Sequence, residues 1–315
     1  LPTLSEYAKL ANDEVLSGVY ENIITTSEIA PHLQFKEFSG NSLVYNRESA
    51  LPTSTTHAVG DTWEDTEPTY TKKTASLTIV GVQSPLDRYA LQTRGNVQNQ
   101  EAVLISKMAK SLARKIEDLI ITGEPENVST EFEGLDSLCR SETRMMAMDD
   151  GVVDGPGSAE TELTLDRLDA MMDMVEMGNP DALIMNKTMR RKLTSLMRAS
   201  GSGMQLDRIE LFGRQVYLYN TVPIVINDYI TNSEQYNDSS TWPSSTATTI
   251  FAVKFGEEKQ GYTIIHNGQV LEPDIQRLGI KETKNENLYR LVVYMQAVTF
   301  SAKVIAALGG IDSSA

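Results

Sequence analysis

The sequence predicts an α+β protein. Three observations carry this. An apolar stripe at helical spacing runs from about Asn96 to Ile121. Thr- and Val-rich extended runs precede it, and a compact unit of alternating strand and helix patterns follows it. The chain closes on an apolar run, Asn287 to Leu308, that suits one strand buried on both faces.

The chain has 315 residues, 40% apolar and 23% charged, enough for two domains or one elaborate one. No apolar run reaches ~18 residues, so no transmembrane helix and no membrane partner is expected. The N-terminus lacks a basic region followed by an apolar one, so no signal peptide is expected. The single cysteine, Cys139, excludes an internal disulfide and fits a reducing cytoplasm. Leu1 in place of Met leads to the expectation that the chain was cut from a longer precursor or trimmed. The net charge of −15 opposes a nucleic-acid binder, which needs a basic footprint. It suits a protein that stays near DNA without sticking to it.

Taken in order, Ser5 caps an amphipathic helix to about Thr26. Tyr7, Leu10, Ala11, Val15, Val19, Ile23 and Ile24 form its stripe, which must find a partner. After Pro31, LQFKEF and NSLVYNRE read as extended. Between Ala50 and Val82 two extended runs, Thr56 to Trp63 and Thr69 to Val80, are joined by the turn chemistry of EDTEP. They predict a long hairpin poor in large apolar side chains. A lone hairpin is marginal in water, so its length and polarity favour an element extended to touch another subunit.

In the long helix, Leu104, Met108, Leu112, Ile116, Leu119 and Ile120 face inward. Lys107, Lys110, Arg114, Lys115, Glu117 and Asp118 mostly take the other faces. The rod is ~35–40 Å long, and Gly123 and Pro125 end it. A Gly/Ser/Asp-rich loop from Ser141 to Thr161 marks the main internal boundary. Thr164 then caps LDRLDAMMDMVEM, which Gly178-Asn179-Pro180 stops. DALIMN is a strand. Asn186 caps the helix KTMRRKLTSLMR, with Met189, Leu193, Leu196 and Met197 inward. GRQVYLYN and VPIVIND are strands broken at Asn220 to Pro223. Thr231 to Thr249 is a surface loop, and IFAVKF and GYTIIHN are further strands. The closing run is expected beside the long helix, whose stripe needs a sheet. No solenoid repeat is present.

The chemistry-bearing residues give little. Cys139 would need a base, and His32, His57 and His266 lie on three separate elements. A Cys-dependent hydrolase is therefore the weak rival. No nucleophile elbow or His-Glu-x-x-His pattern occurs, and three scattered histidines do not make a zinc site. SGSGMQ follows a helix, the wrong order for a phosphate loop. MDDGVVDGPG lacks the alternating carboxylates of a calcium loop. Asp166, Asp169, Asp173 and Glu176 share a helix face that reads as solvated. No cofactor, no metal and no enzyme activity is expected. Lys187, Arg190, Arg191 and Arg198 form a basic helix face without interleaved aromatics, so it suits an acidic neighbour better than a nucleic acid.

The order of parts is more informative than any one motif. Four stretches, NSLVYNRESALP, VGVQSPLDRYALQTRGN, PDALIMNKTMRRKL with FGRQVYLYNTVPIVIND, and VYMQAVTFSAKVIAALGGI, span nearly the whole chain. The sequence resembles a tailed-phage major capsid protein of the Hong Kong 97 fold. That resemblance implies an N-terminal arm over 1–50 and an E-loop hairpin over 51–86. It implies a peripheral domain with a spine helix over 87–161, an axial domain over 162–281, and returning peripheral strands over 282–315. It implies a virion shell assembled in the host cytoplasm from pentamers and hexamers of the chain itself. It implies scaffolding, portal and decoration proteins as further partners, with packaged double-stranded DNA close by non-specifically. An encapsulin-like nanocompartment is the nearest rival. Trp63, Tyr70, Lys72 and Lys73 are the expected contact residues on the hairpin, with Trp63 and Tyr70 as aromatic anchors. Some relatives cross-link a Lys to an Asn beside a Glu. Neither Lys72 nor Lys73 has a matching Asn and Glu here, so no cross-link is expected.

Overall fold

A computed structural model describes residues 29, 32–63, 65–89, 100–151, 153, 161–176, 178–199, 207–211, 214–233, 247–256, 261–268, 274–281 and 283–314. The helix expected over Ser5 to Thr26, the start of the long helix and most of the Thr231 to Thr249 loop lie outside them.

Two sheets and one long helix organise the chain. Strands β1 (Phe35–Glu37), β4 (Thr78–Asp87), β11 (Tyr262–His266), β12 (Asp274–Ile280) and β13 (Glu286–Thr299) form a five-stranded sheet. Helix α1 (Gln100–Thr122) packs on β4 and β13. Its buried stripe includes Ile105, Met108, Leu112, Ile116, Leu119 and Ile120, at the helical period the sequence shows. Gly123 and Gly134 let the chain fold back at its end. A Cβ on Gly134 would meet the Gly123 nitrogen at 2.6 Å and the Leu119 carbonyl at 2.7 Å. Helix α2 (Leu135–Ser141) follows at once.

The seven-stranded sheet has the order β5 (Met145–Ala147), β14 (Ile305–Asp312), β10 (Ala247–Val253), β6 (Ala182–Met185), β9 (Val222–Ile226), β8 (Arg214–Tyr219) and β7 (Asp207–Leu211). Its strands alternate between two cores, as a pleat requires. Ile184, Phe251, Val253, Ile305 and Ala307 join the core that holds α1 and α2. Leu183, Met185, Ile250, Ala252, Ala306 and Leu308 join the core under α3 (Leu165–Asp173) and α4 (Lys187–Ala199).

Of the three expected caps, Thr164 and Asn186 are present, and Ser5 lies outside the described residues. Thr164 Oγ1 accepts from the Arg167 amide, and Asn186 Oδ1 accepts from the Met189 amide at 2.8 Å. Asn220 and Thr221, both at positive φ, make the tight turn between β8 and β9.

Three local expectations are corrected. The closing run is two strands in different sheets, because Ala302–Val304 forms a 3-10 turn between β13 and β14. Strands β11 and β12 pair with β13, while β14 pairs with β10. Helix α3 stops at Asp173, well before Gly178. There the chain turns to bury Val175, and the Glu176 amide donates to the Lys303 carbonyl. Glu117 of α1 is buried rather than on an outer face, where its Oε1 accepts from buried Asn227 Nδ2 at 3.3 Å.

Candidate assembly site

The hairpin differs from its sequence reading. Thr56 to Trp63 forms no strand. The partner of β3 (Thr69–Ser76) is β2 (Ser42–Ala50), in register from Ser42 opposite Ser76 to Ala50 opposite Thr69. Residues 51–63 and 65–68 form its tip. The physical reason lies in the pleat. Leu43 and Tyr45 of β2, and Ala75 of β3, point to one face and pack on Phe38, Ile265, Val298 and Phe300 of the body. Thr56 to Trp63 offers no such alternating apolar face.

The base of the hairpin is fixed by polar contacts on that same inward face. Arg47 Nη1 meets Glu142 Oε2 at 2.5 Å, and Lys73 Nζ meets Glu142 Oε1 at 3.1 Å. Arg47 also donates through Nη2 to the Thr299 carbonyl at 2.6 Å and through Nε to the Phe300 carbonyl at 3.2 Å. The Tyr45 hydroxyl donates to the Thr299 carbonyl at 3.1 Å. Glu133 lies near this group. Burial first, then repulsion from Glu142, raises its carboxyl above the ordinary range, against attraction from Lys73. Sequence reasoning missed Arg47, Tyr45 and Glu142. The available signal was Leu43, Tyr45 and Arg47 on one side of an alternating strand.

The tip contrasts with the base. Its hydrogen bonds among the described residues stay within it: Thr55 Oγ1 with His57 Nε2, the Ala58 amide with Asp61 Oδ2, and Thr66 Oγ1 with the Thr53 carbonyl. Leu51, Val59 and Trp63 are exposed, Trp63 at 75%. The Trp63 ring leans on the His57 ring at 4.1 Å between centroids. Tyr70 is also exposed, on the outward face of β3 beside Lys72. Lys73 alone of the four expected hairpin residues turns inward, to Glu142.

The basic face of α4 is partly used within the chain. Lys187 pairs with Asp228 at 2.8 Å, Arg190 lies over the Tyr217 ring at 5.6 Å, and Lys192 donates to the Asp312 carbonyl. Arg191 and Arg198 are exposed. Asp169 of the acidic face is half-buried and accepts from the Tyr219 hydroxyl at 2.8 Å, so that face is not merely solvated. Cys139 is fully buried on α2. Burial, then the nearby Asp136, pushes its thiol well above the ordinary range. A thiol held protonated and away from solvent is no nucleophile at neutral pH. No group of three or more metal-ligating side chains occurs among the described residues. No described helix is long and apolar enough to cross a membrane.

No protein-family model matches the chain, and no curated protein matches its sequence. Solved structures match it over about nine tenths of its length. The holo-SrpI encapsulin complex of Synechococcus elongatus PCC 7942 superposes with a TM-score of 0.68 at 15% identity, over 91% of this chain and 88% of that one. The capsid of a native GTA particle gives 0.61 at 15% identity, over 90% and 89%. Mycobacterium phage Adephagia gives 0.60 at 11% identity, over 90% and 89%. The chain has the Hong Kong 97 capsid fold. At such low identity the Hong Kong 97 fold is carried by apolar pattern and topology rather than by shared residues. The anchored base and exposed tip of the hairpin are features of this chain laid on that fold.

Proposed function

We propose that the chain is the shell-forming subunit of a tailed double-stranded DNA phage capsid, closing as pentamers and hexamers into an icosahedral shell. The observation that carries this reading is the hairpin. It is locked to its own body at the base, yet it carries Leu51, Val59 and Trp63 into solvent at the tip. Three large exposed apolar side chains on one element suit a surface that is covered in an assembly. Likeness to shell structures over about nine tenths of the chain supports it. Here β2 and β3 with their tip act as the E-loop over a neighbouring subunit, and the residues before β2 act as the arm. Helix α1 is the spine, and the seven-stranded sheet supports the axial loops. Scaffolding, portal and decoration proteins are the expected partners in the virion. Acidic charge keeps the shell from trapping DNA.

Sedimentation and negative-stain microscopy of the full chain, alone and with its matched scaffolding protein, test this. Closed shells or rings of five or six copies are expected, and a persistent monomer in both conditions would remove the reading. Trp63→Ala lowers particle yield while leaving subunit folding unchanged. A nanocompartment shell is the second reading, favoured by the superposition on SrpI encapsulin. Particles purified from native material separate the two. Packaged double-stranded DNA supports the phage capsid, and an enclosed protein cargo supports the nanocompartment.

A further inference from the structure

One exposed turn gathers groups that the shell reading does not use. Strand β11 ends at His266, and Asn267 and Gly268 turn the chain away. They are the only Asn-Gly pair in the sequence. Asn267 is exposed, and among the described residues its side chain has no hydrogen-bond partner. Its backbone amide donates to the Tyr294 carbonyl at 3.2 Å. The Gly268 amide donates to His266 Nδ1 at 3.1 Å. His266 is buried, and burial holds its imidazole below the ordinary value of 6.5. At neutral pH the ring is therefore uncharged, with Nδ1 as its acceptor. Glu37, opposite His266 in the β1–β11 pairing, pulls the other way and favours the imidazolium. Gly268 sits at φ +69°, and a Cβ there would meet Glu37 Oε1 at 3.3 Å. Glycine suits this conformation and leaves its nitrogen uncrowded.

We infer that Asn267 is a self-modification site, where the Gly268 backbone nitrogen displaces the Asn267 side-chain amide with His266 as general base. The reacting atoms belong to adjacent residues, so the attack is intramolecular and needs only local rotation. The Gly268 nitrogen bonds to Asn267 Cγ, and its proton passes to His266 Nδ1. The bond from Cγ to the side-chain nitrogen breaks. That nitrogen takes the proton back from His266 and leaves as ammonia. Water then opens the cyclic imide at either carbonyl, giving aspartate or isoaspartate at position 267. Nothing is oxidised or reduced. The nucleophile is this chain's own backbone nitrogen, so neither a lysine nor a second subunit takes part. The product carries a new carboxylate near Glu37, at the end of the β1–β11 pairing that holds residues 35–37 on the five-stranded sheet.

Peptide mapping by mass spectrometry tests this on the full chain, incubated at neutral pH in native buffer and in urea. Asn267 is expected to convert about tenfold faster in the native chain than in the unfolded one, because only the fold holds His266 on the Gly268 amide. H266Q with the circular dichroism of the wild type is expected to lose that excess, since glutamine accepts the hydrogen bond but takes up no proton. Hydroxylamine added to the native chain traps the imide and cuts between residues 267 and 268. Enzymatic methylation marks the isoaspartate product. A native rate no faster than the unfolded one would overturn the assignment, because the turn would then protect Asn267. So would an unchanged rate in folded H266Q, or acid formation without hydroxylamine cleavage. Where H266Q does not fold, the ratio of native to unfolded rates in the wild type decides.

Discussion

Replacing Glu142 with Ala tests whether the hairpin is held by its base. Glu142 is only 12% exposed and Arg47 14%, so their contact at 2.5 Å is largely shielded from water. A hydrogen bond to a charged group is worth about 1.5–3 kcal/mol. Lys73 is 40% exposed, and solvent screening limits its pair with Glu142 to about 1 kcal/mol or less. Arg47 keeps its two carbonyl acceptors, and relief of Glu133 offsets part of the loss. The net cost is about 1–3 kcal/mol, felt by the hairpin and not by the distant core. Glu142→Gln keeps one acceptor and costs about half as much. Hydrogen exchange reads this directly. Amides of β2 and β3 are expected to lose roughly one to two orders of magnitude of protection, while those of α1 stay unchanged. Unchanged exchange in the hairpin would refute the latch. Equal loss in α1 would show that Glu142 supports the whole fold instead.

Three further outcomes follow from buried groups. Asn186 donates to Asn232 Oδ1 at 2.7 Å and Thr248 Oγ1 at 2.9 Å while capping α4, so Asn186→Ala costs roughly 2–4 kcal/mol in urea unfolding. A cost under about 0.5 kcal/mol would contradict that network. Burial holds the His266 imidazole below its ordinary value of 6.5, with Glu37 pulling the other way, and its Nδ1 accepts from the Gly268 amide at 3.1 Å. The unfolded chain therefore binds this proton more strongly. Stability from neutral His266 is present above pH 6.5 and is lost as pH falls through the lower folded value. His266→Gln shallows that acid slope, and His32, shifted the same way by burial, keeps it from vanishing. An unaltered slope in thermal melts at pH 7 and 5 would exclude the assignment. Cys139 resists thiol reagents in the native chain and reacts fully in denaturant. Stoichiometric labelling of the native chain within minutes would contradict its burial.

What the sequence determined alone was whatever a short window of chain decides. The stripe from Leu104 to Ile120 made α1, Thr164 and Asn186 made their caps, and Asn220 with the residue after it made the β8–β9 turn. Each depends on neighbours within about four residues, where periodicity and capping act. The order of such windows was enough to suggest the fold. The tertiary structure decided which partners met. Tyr70 and Lys72 lie on a strand legible in sequence, but only the docked structure pairs that strand with β2 instead of Thr56 to Trp63. Arg47 and Glu142 are 95 residues apart, and no local pattern could join them. The closing run reads as one strand until β13 and β14 find different sheets. Glu117 looks solvent-facing until Asn227, 110 residues away, arrives to satisfy it. Strand pairing and buried polar contacts are settled by long-range packing, which offsets the entropy of closing large loops and leaves no periodic trace in the chain.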